Sequence, residues 1–187
     1  MNNIDDMMRL WKEMDSRLSS IVEENRRLAD EIKKNNLRNS QEKLMCKYRA
    51  FIILAAICIP MMFFILGINP LVVNQYRWPA LIYFVCFFLF EICIDGYLLY
   101  KLNCIDIHND SIIEISRNAR INWKIHKLAV IVGIPIAIGA VVLFCLAMGS
   151  NTAVLGGAFV GMIIGLGIGL NEFFKFMKNY KTMTREE

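Results

Sequence analysis

Ala50-Phe-Ile-Ile-Leu-Ala-Ala-Ile-Cys-Ile-Pro-Met-Met-Phe-Phe-Ile-Leu-Gly-Ile68 is an unbroken apolar run with no charged side chain. As a helix rising ~1.5 Å per residue it covers the ~30 Å hydrocarbon core of a bilayer. Working outward, three further blocks of similar length follow, at residues 78–100, 128–148 and 153–174. The chain is 56% hydrophobic and 20% charged, and the apolar excess is gathered into these blocks, as in a membrane protein. Pro60 and Pro135 fall inside the first and third blocks. Kinks are tolerated there because neighbouring helices satisfy the freed carbonyls. The expected fold is an all-α membrane protein with four transmembrane helices in residues 49–175, preceded by a polar helix over residues 1–48.

Basic residues set the expected orientation. Arg38, Lys43, Lys47 and Arg49 precede the first span. Lys101, Arg117, Arg120, Lys124 and Lys127 lie in the loop 101–127, and Lys175, Lys178, Lys181 and Arg185 follow the fourth span. The opposite side has only Arg77, and residues 149–152 carry no charge. By the positive-inside rule both termini and the middle loop are expected to be cytosolic. The polar first forty residues are no signal peptide, so the first span is expected to be an uncleaved anchor. Tyr76, Trp78, Tyr100 and Tyr180 are placed as interfacial aromatics. Residues 176–187 read as a basic cytosolic tail, with Phe173, Phe174, Phe176 and Met177 lying along the anionic inner surface.

The net charge of +4 is too small to imply nucleic-acid binding. Cys58, Cys86, Cys93 and Cys145 fall in apolar blocks, while Cys46 and Cys104 fall on the expected cytosolic side. All six read as reduced.

Ahead of the spans, Ile4, Met7, Trp11, Met14, Leu18, Ile21, Asn25, Leu28, Ile32 and Asn35 recur every three or four residues. This is a largely apolar seam at heptad spacing, the pattern of a helix that seeks another helix. Met8, Leu10 and Val22 widen the seam beyond a two-stranded coil, which suits a bundle or a bound partner. Asn25 would cost stability but fix register. Between residues 1 and 49 eleven basic residues face nine acidic ones, the balance of a solvated helix surface.

Within the spans two constellations stand out. Gly157, Gly161, Gly165 and Gly169 form a stripe along one face of the fourth span. Small residues at this spacing let helix backbones approach. The expectation is tight packing within the chain, with Gly133 and Gly139 of the third span opposite; a homodimer face or a pore is the alternative. Glu91 and Asp95 are four apart in the second span, so both acids share a helix face, about 15 Å and about 9 Å in from Lys101. An acid at that depth counts as a functional candidate, set against a neutral Glu91 hydrogen-bonded inside the bundle and an Asp95 reaching the cytosolic interface. Asn171 and Glu172 are expected at the interface. Ser111-Ile-Ile-Glu114 has capping-box spacing and starts a helix running into the third span.

Cys104, His108 and His126 match no structural zinc spacing, so no metal and no cofactor is expected. The absence of a Ser–His–Asp order, a phosphate-binding glycine loop and a metalloprotease helix argues against an enzyme.

Met8-Arg-Leu-Trp11-Lys-Glu-Met-Asp15-Ser-Arg-Leu18, with Glu24, Asn25 and Leu28 beyond it, resembles the Trp–x3–Asp–x2–Leu helix of a family of small membrane proteins. That family's genes often neighbour those of extracytoplasmic-function sigma factors in anaerobic gut bacteria, and its members look like membrane-bound anti-sigma regulators. The resemblance covers about thirty residues of this chain. It maps Trp11, Asp15 and Leu18 onto the family's motif and implies that the N-terminal helix binds a cytosolic protein, with a sigma factor the first candidate; Met14 and Ile21 are the further large seam side chains available to anchor it. The competing expectation is a small transporter or channel subunit that uses Glu91, its N-terminal helix serving only to oligomerise it.

Overall fold

A computed structural model describes residues 2–69, 72–107, 109–149 and 152–184. It contains four α-helices: α1 (Asn2–Met62), α2 (Asn74–Asn103), α3 (Ile112–Met148) and α4 (Thr152–Thr184). There is no strand among the described residues. Each helix contains a stretch long and apolar enough to cross a membrane. The chain divides into two compact units, one up to Asn39 and the other from Ser40 onward.

The N-terminal unit is a single helix without a core of its own. Its seam side chains Ile4, Met7, Trp11, Met14, Leu18 and Ile21 are all more than half exposed. An ion pair between Arg17 and Glu13, 2.8 Å apart at i,i+4, contributes the few tenths of a kcal/mol expected of an exposed pair. The Ser19 and Ser20 hydroxyls donate back to the carbonyls of Ser16 and Arg17.

The second unit carries the helix bundle. Pro60 has no N–H to give to the carbonyl four residues earlier, and its ring crowds that turn. Three residues further on, α1 widens into a six-residue π-helical turn, Phe63–Ile68, the kind of local adjustment a broken ladder invites. Leu66 in that turn packs with Val72, Ala80, Leu81, Ala147 and Met148, forming one core where α1 ends, α2 begins and α3 ends. Val73 N–H donates to the Ala147 carbonyl at 2.8 Å, satisfying one of the carbonyls a helix C-terminus leaves free. Gly149, at φ 64°, then turns the chain out of α3 through a conformation that only glycine adopts without strain.

At the opposite end of the bundle the loop between α2 and α3 is folded tightly. The Asp106 carboxylate accepts from both the backbone and the side chain of Asn109, and the loop buries Ile105 and Ile107. Gln41 donates to the Leu102 and Ile105 carbonyls at 2.6 and 2.9 Å, capping the end of α2 from α1. Ser111 is the N-cap of α3, its hydroxyl accepting from Glu114 N–H at 3.2 Å, so α3 starts where the capping-box spacing places it.

Residues 176–184 differ from expectation. They do not form a separate surface-lying tail. α4 continues without a break to Thr184, with Phe176, Tyr180 and Met183 almost wholly buried. Positions 176, 180 and 183 recur at helical spacing, so together they make an apolar face that a neighbouring helix covers. Ser116 on α3 donates to the Thr184 carbonyl at 3.3 Å. Arg185 lies outside the described residues.

Candidate functional site

Three helices bring polar aromatic side chains to one buried point. Tyr48 on α1 follows the buried Leu44 by one turn, and both are fully enclosed. His126 on α3 continues the buried face of Ile115, Ala119 and Asn122. Tyr180 comes from the far end of α4. The Tyr48 hydroxyl lies 3.0 Å from His126 Nδ1 and 3.1 Å from the Tyr180 hydroxyl. Donation can run in either direction along this chain, so each group finds a partner despite being cut off from water.

Aromatic rings enclose the knot. Phe176 stacks on His126 with centroids 4.7 Å apart, and Trp123 stacks on Tyr180 at 5.2 Å. Burial pushes the His126 imidazole down to about 4, so it is neutral near pH 7. Burial, then the neighbouring Tyr180, raises Tyr48 well above the ordinary phenol range; burial also raises Tyr180. Both tyrosines therefore remain hydroxyls. At the margin Glu172 accepts from Lys47 at 2.5 Å and from Lys175 at 2.6 Å.

Between this knot and the core at the other end, the four helices leave a cavity of about 690 Å³. Phe51, Phe87, Phe88, Phe173 and Phe176 supply much of its wall. Glu91, Asp95 and His126 line it and also border an adjoining cavity of about 250 Å³ against α3. The shared face read for Glu91 and Asp95 thus opens onto a void. Glu91 rests against α3 where there is no side chain: a Cβ at Gly133 would lie 3.3 Å from Glu91 Oε1. The simpler expectation, a Glu91 hydrogen-bonded within the bundle, is not what the structure contains. Among the described residues neither acid has a hydrogen bond or an ion pair.

The glycine stripe also sits differently from the packing expected within the chain. A Cβ at Gly157, Gly161, Gly165 or Gly169 would meet nothing within 4 Å, so these glycines do not press against Gly133 or Gly139. Gly165 and Gly169 face the large cavity. The close approach belongs to Gly139, where a Cβ would fall 2.6 Å from the Tyr83 hydroxyl. That hydroxyl donates to the Ile136 carbonyl at 3.0 Å and ties α2 to α3.

Of the residues read as candidates, Glu91 and Asp95 come together with Gly165 and Gly169 around one space. Trp11, Met14, Asp15, Leu18 and Ile21 lie in the other unit and are exposed. Cys104 and His126 form no metal-holding group, and none exists among the described residues; His108 lies outside them. All six cysteines are free. Tyr180, read as an interfacial aromatic, is buried in the knot, whereas Trp78 and Tyr100 are well exposed. Tyr48, Trp123 and Phe176 were not singled out as site residues. The signal for Phe176 is the 173, 176, 180, 183 spacing running past the last span, whereas no spacing marks Tyr48 or Trp123 as site residues. No family model, curated protein or solved structure matches the chain.

Proposed function

We propose that this is a non-catalytic, multi-pass membrane regulator that holds a partner protein at the cytosolic face through its N-terminal helix. The observation that carries the reading is the unpartnered seam of the N-terminal unit, with Trp11 66%, Met14 61% and Leu18 62% exposed. Large apolar side chains left in water in a row make a docking stripe, and a few of them usually supply most of the binding energy. The likeness of Trp11, Asp15 and Leu18 to the sigma-associated family makes an extracytoplasmic-function sigma factor the first candidate. In this reading the basic flanks keep both ends in the cytosol of a bacterial inner membrane.

The test is co-purification of the full-length chain with sigma factors from its own cells. Trp11→Ala combined with Leu18→Ala should cut recovery of the partner on the order of a hundredfold, about 3 kcal/mol, while the spans still insert. If the wild-type chain brings down no partner and ultracentrifugation shows only a discrete self-associated species, the regulator reading fails.

A second reading, a small transporter or channel subunit, is favoured by the acid-lined cavity. It predicts solute or ion flux in proteoliposomes that disappears with Glu91→Gln.

A further inference from the structure

We propose that the cavity between the four helices binds an amphiphilic organic monocation, such as an aromatic or alkyl ammonium or phosphonium. About 690 Å³ is the size of a small-molecule site, and the wall is mostly apolar with a few convergent polar groups. Its phenylalanine rings offer the π-faces that attract a desolvated organic cation.

Charge selects among occupants. Glu172, at the margin, already has Lys47 and Lys175. Among the described residues Glu91 and Asp95 have no basic partner, and no Lys or Arg lines either void. His126, neutral near pH 7, brings no positive charge. A lipid tail, or an apolar helix of a second copy, would fill the volume but offer the two acids neither a hydrogen bond nor a counter-charge, so it would sit there only against protonated acids. A divalent metal would require a close set of ligands, and although Glu91, Asp95 and His126 line the cavity, no three such side chains among the described residues lie close enough together to hold one. A single positive charge spread over an apolar body answers both the acids and the rings.

The inference shares with the transporter reading its use of Glu91, but it concerns binding alone. It is therefore tested without a gradient. A null flux result would sink that reading and leave this one standing.

The probe is tetraphenylphosphonium, measured by equilibrium dialysis against the full-length protein in lipid nanodiscs, with empty nanodiscs as background. One saturable site is expected. Glu91→Gln should weaken it at least about tenfold, since a contact to a charged group is lost. Gly169→Leu should abolish it by filling the cavity, and the open space at that position keeps the substitution from straining the bundle. Asp95→Asn serves the same purpose should Glu91→Gln not fold. Tetraphenylborate, matched in size and shape but anionic, should show no saturable site in separate samples. No saturable phosphonium binding above empty nanodiscs would overturn the proposal. So would binding that Glu91→Gln and Gly169→Leu leave unchanged, or equal binding of the borate.

Discussion

Acidification should loosen the bundle through His126, by an amount that follows from its surroundings. The imidazole is 9% exposed, has Tyr48 on Nδ1 at 3.0 Å, and lies against the Phe176 and Trp123 rings. Its neighbours are Tyr48 on α1, Asp95 on α2 across the cavity, Lys127 beside Trp123 on α3, and Tyr180 on α4. None makes an ion pair that would hold the charged ring. The folded value is depressed from 6.5 to about 4. Between these values the unfolded chain binds more protons than the folded one, so stability rises with pH through this window and is lost as pH falls from 6.5 towards 4. At about 1.4 kcal/mol per unit, the full loss is about 3 kcal/mol. Thermal unfolding in detergent, followed by helical circular dichroism from pH 7.5 to 4.5, measures it. His126→Gln is the comparison: the carboxylates titrate in both proteins and cancel in the difference. The wild-type midpoint should fall further than the variant's across the window. Parallel curves would show that the ring is not enclosed as described.

The glycines separate close contact from open face. Gly139→Ala places a methyl group against the Tyr83 hydroxyl and should cost about 1–3 kcal/mol in unfolding assays, part of it recovered by Tyr83→Phe. Gly161→Leu, with nothing near its Cβ, should leave the unfolding of the single chain unchanged; destabilisation comparable to that of Gly139→Ala would mean the stripe is in close contact after all. For topology, on a cysteine-free background, Asn151→Cys should react with an impermeant thiol reagent in intact cells and Ser19→Cys should not. The reverse labelling pattern would overturn the orientation.

The spans were legible because hydropathy is additive along the chain. Twenty apolar residues in a row carry the same message wherever their side chains point, so the runs 78–100, 128–148 and 153–174 each fall inside a helix, and 50–68 spans the end of α1 and its π-helical turn. Ser111 was legible for a different reason: an N-cap is a local hydrogen bond between residues three apart, and its spacing is its structure. The continuation of α4 was harder to read, because lysines interrupt residues 175–184 and lower the mean hydropathy. Its 3.6-residue period survives the lysines, and that period is what buries Phe176, Tyr180 and Met183.

The site itself depended on what lies opposite each residue, which no spacing along one helix reveals. Glycine every four residues says that a helix can be approached; it does not say that anything approaches, and here the approach is made at Gly139, outside the stripe. Tyr and His near a membrane boundary suit an interface as well as a buried knot, and only the meeting of Tyr48, His126 and Tyr180 from three helices decides between them. For Glu91 and Asp95, depth could be counted from Lys101, but their lack of partners is a property of the other three helices. That lack is what makes the two acids consequential. A buried acid with a hydrogen bond or a lysine beside it is accounted for by the fold. Two that face an aromatic cavity with neither must take up protons or find a counter-charge, and a ligand cation supplies the second.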